Sequence, residues 1–180
     1  MSRYIALLRA INVGGHTVKM DHLRQLFEEL GFANVETFIA SGNVVFETTA
    51  RNASALEKKI TAHLKAALGY EVATFIRTPR ELATIAAYQP FPPAEFAAAA
   101  AFNIGFLAEP LDAISTQKVL ALKTDIDDFH VHGREIYWLC RVRQSDSKFS
   151  NAVLEKTLKR AATFRGANTV VKMAAKYGVP

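Results

Sequence analysis

Residues 4–77 alternate between short apolar runs and helical stripes in one order: strand, helix, strand, strand, helix, strand. Few folds accept that order. Residues 4–9 are apolar on both faces and end at turn residues, as a buried strand does. From Met20 the apolar positions fall at Met20, Leu23, Leu26, Phe27 and Leu30, a stripe of helical period that Gly31 closes. Residues 35–40 and 43–47 read as two strands around a tight Ser41-Gly42 hairpin. Ser54 with Glu57 has the spacing of a capping box before Leu56, Ile60, Leu64 and Leu68, with Gly69 behind, and residues 72–77 give a further strand. This is the split βαβ pattern of ferredoxin-like domains.

Thr78-Pro79-Arg80-Glu81 combines a cap, a proline at the first helical position and a glutamate at the third, and so predicts a helix that Pro90 ends. Three of the six prolines then fall in residues 88–98, the natural linker. Beyond it the pattern repeats: a strand over 100–108, a helix over 111–122, a hairpin of 126–132 with 135–141 around Gly133, and a helix over 149–160. Residues 161–165 leave room for a short strand, and 169–177 add a last helix before Gly178. The expected fold is therefore α+β, with two tandem ferredoxin-like halves and antiparallel sheets, the second half modified by an extra C-terminal helix. The expected organisation is 1–87, a linker at 88–98, and 99–180.

A chain of 180 residues, half of them apolar, can bury such cores. Its one cysteine, Cys140, rules out an intrachain disulfide. The opening MSRYIALLRA is too short in apolar residues for a signal peptide, and no stretch is long enough to span a bilayer, so a cytoplasmic location is expected. The net charge of +5 is uneven. Residues 141–180 carry nine Lys and Arg against Asp146 and Glu155, leaving 13 basic and 15 acidic residues for the rest of the chain. Lys156, Lys159, Arg160, Arg165, Lys172 and Lys176 are the candidate basic surface, of a kind that can neutralise phosphates. A solvated helix face has the same composition.

Topology selects the candidate site. With strands in the spatial order fourth, first, third, second, the end of the first strand meets the turn between the second and third, at strand spacings of roughly 4.8 Å. That sets Asn12, Gly14, Gly15, His16 and Lys19 beside Ser41, Gly42 and Asn43. Glycines let backbone amides converge on a phosphate or carboxylate, and the N-terminus of the following helix adds partial positive charge. The same residues also suit ordinary turns, and neither a Walker loop nor a GxGxxG fingerprint is present.

LLRAINVGGHTVKM, then LGF, then IASGNVVF resemble the opening of the bacterial family known as domain of unknown function 1697. Ser147-Lys148 and residues 162–169 are similar to that family's closing pattern. Ala10 stands where the family usually has glycine, Ala40 where it has glutamine, and Gly166-Ala167 where it has asparagine and an aromatic. The first departure is cheap if the backbone at Ala10 is extended. The resemblance implies a ferredoxin-like fold and no established activity.

Other chemistry is weaker. His130 and His132 share a strand face, yet no third metal ligand accompanies them, and Asp127 and Asp128 suit a solvated hairpin end. No metal or cofactor is called for. Cys140 lies in a β run and reads as a small hydrophobe, and Ser41 with His16 lacks an orienting acid. RNA-recognition modules on this fold need exposed aromatics, for which Tyr4 and Phe46 are the candidates. The leading expectation is a binding module for a phosphate-bearing ligand, a nucleotide or nucleic acid. The alternatives are a small phosphate- or acyl-phosphate-processing enzyme, by analogy with acylphosphatases, and an interaction module with no ligand. Oligomeric state is not legible.

Overall fold

The computed structural model describes residues 1–39 and 42–178. It divides into two compact units, Met1–Leu82 with the end of the chain from Tyr177, and Ala83–Lys176. Among the described residues no helix is long and apolar enough to cross a membrane.

The first unit runs β1 (Ser2–Leu8), α1 (Met20–Glu28), β2 (Ala33–Thr37), β3 (Asn43–Thr48), α2 (Ala53–Leu68) and β4 (Thr74–Arg77); α3 (Pro79–Ala87) follows and crosses from Leu82 into the second unit at Ala83. Its sheet order is β2-β3-β1-β4, with every neighbouring pair antiparallel. Tyr4, Ala6 and Leu8 of β1 point to one face and meet Leu23, Leu26 and Phe27 of α1 and Leu56, Ile60 and Leu64 of α2 in a single core. Ile5 and Leu7, on the other face, are buried as well, which is why β1 reads as apolar throughout. Tyr4 and Phe46 belong to the helix-side core, so neither offers the exposed ring that an RNA-module comparison needs.

Local chemistry departs from expectation at three places. Asn52, not Ser54, caps α2, its Oδ1 accepting from the Ala55 amide at 3.0 Å. Glu57 is buried and accepts from the Ile76 amide at 2.8 Å, because β4 is an edge strand whose outward N–H needs an acceptor. The hairpin is wider than a two-residue turn: β2 ends at Thr37, a bulge separates Ala33 from Glu36 with Asn34 at φ +49°, and the loop closes where the Phe38 amide donates to Asn43 O. Ala40 and Ser41 lie outside the described residues. The capping box at Thr78 does form, the Thr78 amide donating to Glu81 Oε2 at 2.8 Å and the Glu81 amide to Thr78 Oγ1 at 3.2 Å.

The second unit contains α4 (Pro93–Ala98), β5 (Ala101–Phe106), α5 (Ala113–Leu120), β6 (Asp127–His132), β7 (Glu135–Cys140), α6 (Asn151–Leu158), β8 (Thr163–Gly166) and α7 (Ala167–Tyr177). Its sheet order, β6-β7-β5-β8, repeats that of the first. α7 follows β8 just as α3 follows β4, so a helix after the fourth strand belongs to both halves. The Pro-rich segment carries α4, and its Phe91 and Phe96 rings pack edge-on against Phe102. Asp127, 2 % exposed, anchors this half: Trp138 Nε1 donates to its Oδ1 at 2.8 Å and Ser147 Oγ to its Oδ2 at 2.7 Å. Burial pushes the Cys140 thiol up, as expected of a core residue.

Candidate functional site

The end of β1 and the β2–β3 loop are in contact. The Leu8 amide donates to Gly42 O at 2.9 Å, and a Cβ built on Gly42 would lie 2.8 Å from Ile11 Cγ2. Glycine at 42, with φ +79°, is therefore what lets the two loops close on each other.

Residues 9–19 then run along the surface to α1. Gly14 and Gly15 hold φ +64° and +83°, both exposed, with nothing within 4 Å of where a Cβ would stand. Two residues brace this loop from within. Asn12 Oδ1 accepts from the Val18 amide at 2.7 Å, and the His16 ring stacks on Tyr70 with centroids 3.8 Å apart. Tyr70 is itself fixed by its hydroxyl, which donates to Ile11 O at 2.8 Å. Burial pushes the Tyr70 phenol up. The α2–β4 connection thus supplies a third wall that the two-loop reading missed. It was within reach of topology, since β4 runs antiparallel to β1 and so starts where β1 ends; the Arg9 amide indeed donates to Ala73 O at 2.9 Å.

Lys19 is the N-cap of α1 and makes no side-chain cap bond; it is exposed and has no ion-pair partner among the described residues. Asn43 faces inward instead, 1 % exposed, its Nδ2 donating to Phe38 O at 2.9 Å. The outer edge therefore consists of Gly14, Gly15, His16 and Lys19, with Asn12, Gly42 and Asn43 as its frame; Ser41 lies outside the described residues.

The other candidates are placed as follows. Lys156, Lys159, Arg160, Lys172 and Lys176 are exposed in the second unit. Arg165 is not part of that surface. It is buried, Nη1 donating to Thr163 Oγ1 and Phe164 O at 2.8 Å each, and desolvation lowers its pKa to about 10. Its strand position turns the side chain inward, which composition does not reveal. His130 Nε2 is 2.8 Å from the Tyr88 hydroxyl and His132 stacks on the Tyr88 ring at 4.1 Å, so both imidazoles hold the start of the Pro-rich segment. Among the described residues no three His, Cys, Asp or Glu side chains gather to hold a metal.

Fold and connectivity define an α+β protein of two split βαβ halves with antiparallel sheets. The chain belongs to DUF1697, a family of proteins of unknown function, whose model matches residues 1–137. That match contains both loops of the edge and stops before Ser147-Lys148 and residues 162–169. A solved structure, the conserved bacterial protein SP0830 from Streptococcus pneumoniae, is similar over 98% of each chain, with a TM-score of 0.76 and 26% sequence identity. No curated protein matches the chain.

Proposed function

We propose that this protein binds a phosphate-bearing ligand, a nucleotide or nucleic acid, at the edge formed by Gly14, Gly15, His16 and Lys19. One observation carries the reading: Lys19, at the N-cap of α1, makes no side-chain cap bond, and Asp21, the acid of the first turn, is engaged by Arg24 at 2.8 Å. The first N–H groups of a helix lack intrahelical partners, and the helix dipole favours an anion there. A lysine at that position adds a full positive charge where most helices place a capping oxygen. Gly14 and Gly15 keep side chains out of the approach. Asn12 and the Tyr70 stack under His16 supply the rigidity that limits the ordering cost of binding.

The acyl-phosphate reading has less to stand on, because Asn43, which it would need at the surface, is enclosed by the hairpin. The exposed Lys156, Lys172 and Lys176 of the second unit are a basic surface of their own, on which nucleic-acid binding would be salt-dependent.

Fluorescence anisotropy with labelled ATP and labelled single-stranded RNA, at low and at moderate salt, tests the proposal. Binding at low salt that weakens as salt rises and is lost in Lys19→Asp is the expected result. Absence of binding by both probes at low salt would overturn it.

A further inference from the structure

At the opposite end of the first sheet, where β3 leads into α2, a cleft of ≈ 400 Å³ opens beside the start of β2. Arg51, Lys59, Thr48, Thr49 and Asn52 line it above an apolar floor that includes Phe32. Two features set it apart from an ordinary surface groove. Its charged lining residues are both cations, with no carboxylate among the described residues of the wall. Neither cation is neutralised: Arg51 has no ion pair or side-chain hydrogen bond among the described residues, and Lys59 donates only to Leu30 O at 3.2 Å while standing 5.4 Å over the Phe32 ring. Lys59 is thereby held in place.

The polar groups of the wall are partly spent in a way that defines what remains. Asn52 Oδ1 already accepts from the Ala55 amide, so this side chain's oxygen is committed to α2. Thr48 Oγ1 accepts from the Ala50 amide at 3.2 Å and keeps its own hydrogen to donate. The cleft thus presents a guanidinium, an ammonium and hydroxyl donors over apolar side chains, and it falls in the size range of small-molecule sites.

We infer that this cleft is a second binding site, for a small organic phosphate: a dianionic phosphate held by Arg51 and Lys59, with its organic part against Phe32 and Leu56. Arg51 suits the forked geometry of phosphate oxygens, and Lys59 supplies the second charge. The site shares no residue with the Gly14–Lys19 edge and does not depend on it.

Phenyl phosphate is the probe, added to the full-length 15N-labelled chain and followed in 1H–15N spectra. The expected result is saturable shifts at amides of residues 30–32 and 48–56, with affinity reduced roughly tenfold or more in Arg51→Ala/Lys59→Ala, as suits loss of two charge-assisted contacts. Both side chains are exposed and Lys59 gives up only its bond to Leu30 O and its place over the Phe32 ring, so the double variant should stay folded, with a thermal midpoint slightly below that of the wild type. Lys19→Ala should leave these shifts unchanged. Three results overturn the inference: no shifts at millimolar probe, equal shifts with phenol, or unchanged affinity in the double variant. Shifts confined to residues 12–22 would also overturn it, while favouring the loop edge.

Discussion

In the first half the chain passes from β1 to α1 through residues 9–19 and reaches a helix whose N-cap is Lys19, with no side-chain cap bond. In the second half the equivalent passage is residues 107–112, and it ends on Asp112, whose Oδ1 accepts from the Ser115 amide at 2.6 Å. The adjoining hairpins differ in the same sense: residues 38–42 separate β2 from β3, whereas only Gly133 and Arg134 separate β6 from β7. Identical strand order therefore carries one elaborated edge and one trimmed edge. The trimmed edge supplies its own anion to its helix. The elaborated edge starts its helix on a lysine with no side-chain cap bond, with Asp21 in the first turn, and it is on this difference that the proposed anion site rests.

The halves also differ in how each buries a carboxylate, and removing those groups should produce the largest effects. Asp127→Ala strands the Trp138 and Ser147 donors, and Glu57→Ala strands at least the Ile76 amide of β4; each should cost about 2–3 kcal/mol. Urea unfolding of each variant measures this, and a loss below about 1 kcal/mol for either would contradict it.

Exchanging the caps sharpens it further. Lys19→Asp gives α1 what α5 already has and should raise stability by about 1 kcal/mol while abolishing anion binding. A gain in stability together with retained binding would separate the helix start from the ligand. Asp112→Ala should lower the thermal midpoint without touching binding. The Ser115 amide bond is the main cause that holds the Asp112 carboxyl below its ordinary value of 3.8, so its contribution is present above that pH and is lost as pH falls through the lowered value.

A smaller effect belongs to Ala10. Its φ of +54° is left-handed, not extended, so the departure from the family's glycine carries strain, and Ala10→Gly should stabilise by roughly 0.5 kcal/mol in a thermal scan.

The smallest expected effect is in the second half. Desolvation, with His132 beside it, lowers the His130 pKa, while Asp128 raises it. Below the ordinary value of 6.5 the unfolded chain then binds more protons than the folded one, so stability falls as pH drops from 7 toward 5. His130→Phe should flatten that slope in urea titrations at the two pH values.

Much of the fold was legible because each element carried its own period and stop signal. The both-faced apolar run of β1, the stripe from Met20 to Phe27 and Gly69 at φ +83° behind α2 are examples. What escaped depends on partners distant in sequence. Glu57 looks like a capping-box residue until Ile76, 19 positions away, claims its carboxylate. The hairpin strand runs over Ala33–Thr37 with a bulge near its start, not over 35–40, and the inward turn of Arg165 removed it from a surface that composition assigned it to. Of the candidate edge, the meeting of residues 8–11 with Gly42 followed from strand order. The inward direction of Asn43 and the role of Tyr70 did not, because both depend on side-chain packing that period cannot express.

The claim that the first half's edge takes the anion is tested most directly by titrating the 15N-labelled chain with pyrophosphate and reading its amide spectrum. The account predicts saturable shifts at Gly14, Gly15 and residues 19–22, absent in Lys19→Asp. Shifts at the start of α5 instead, or none at either helix, would contradict it.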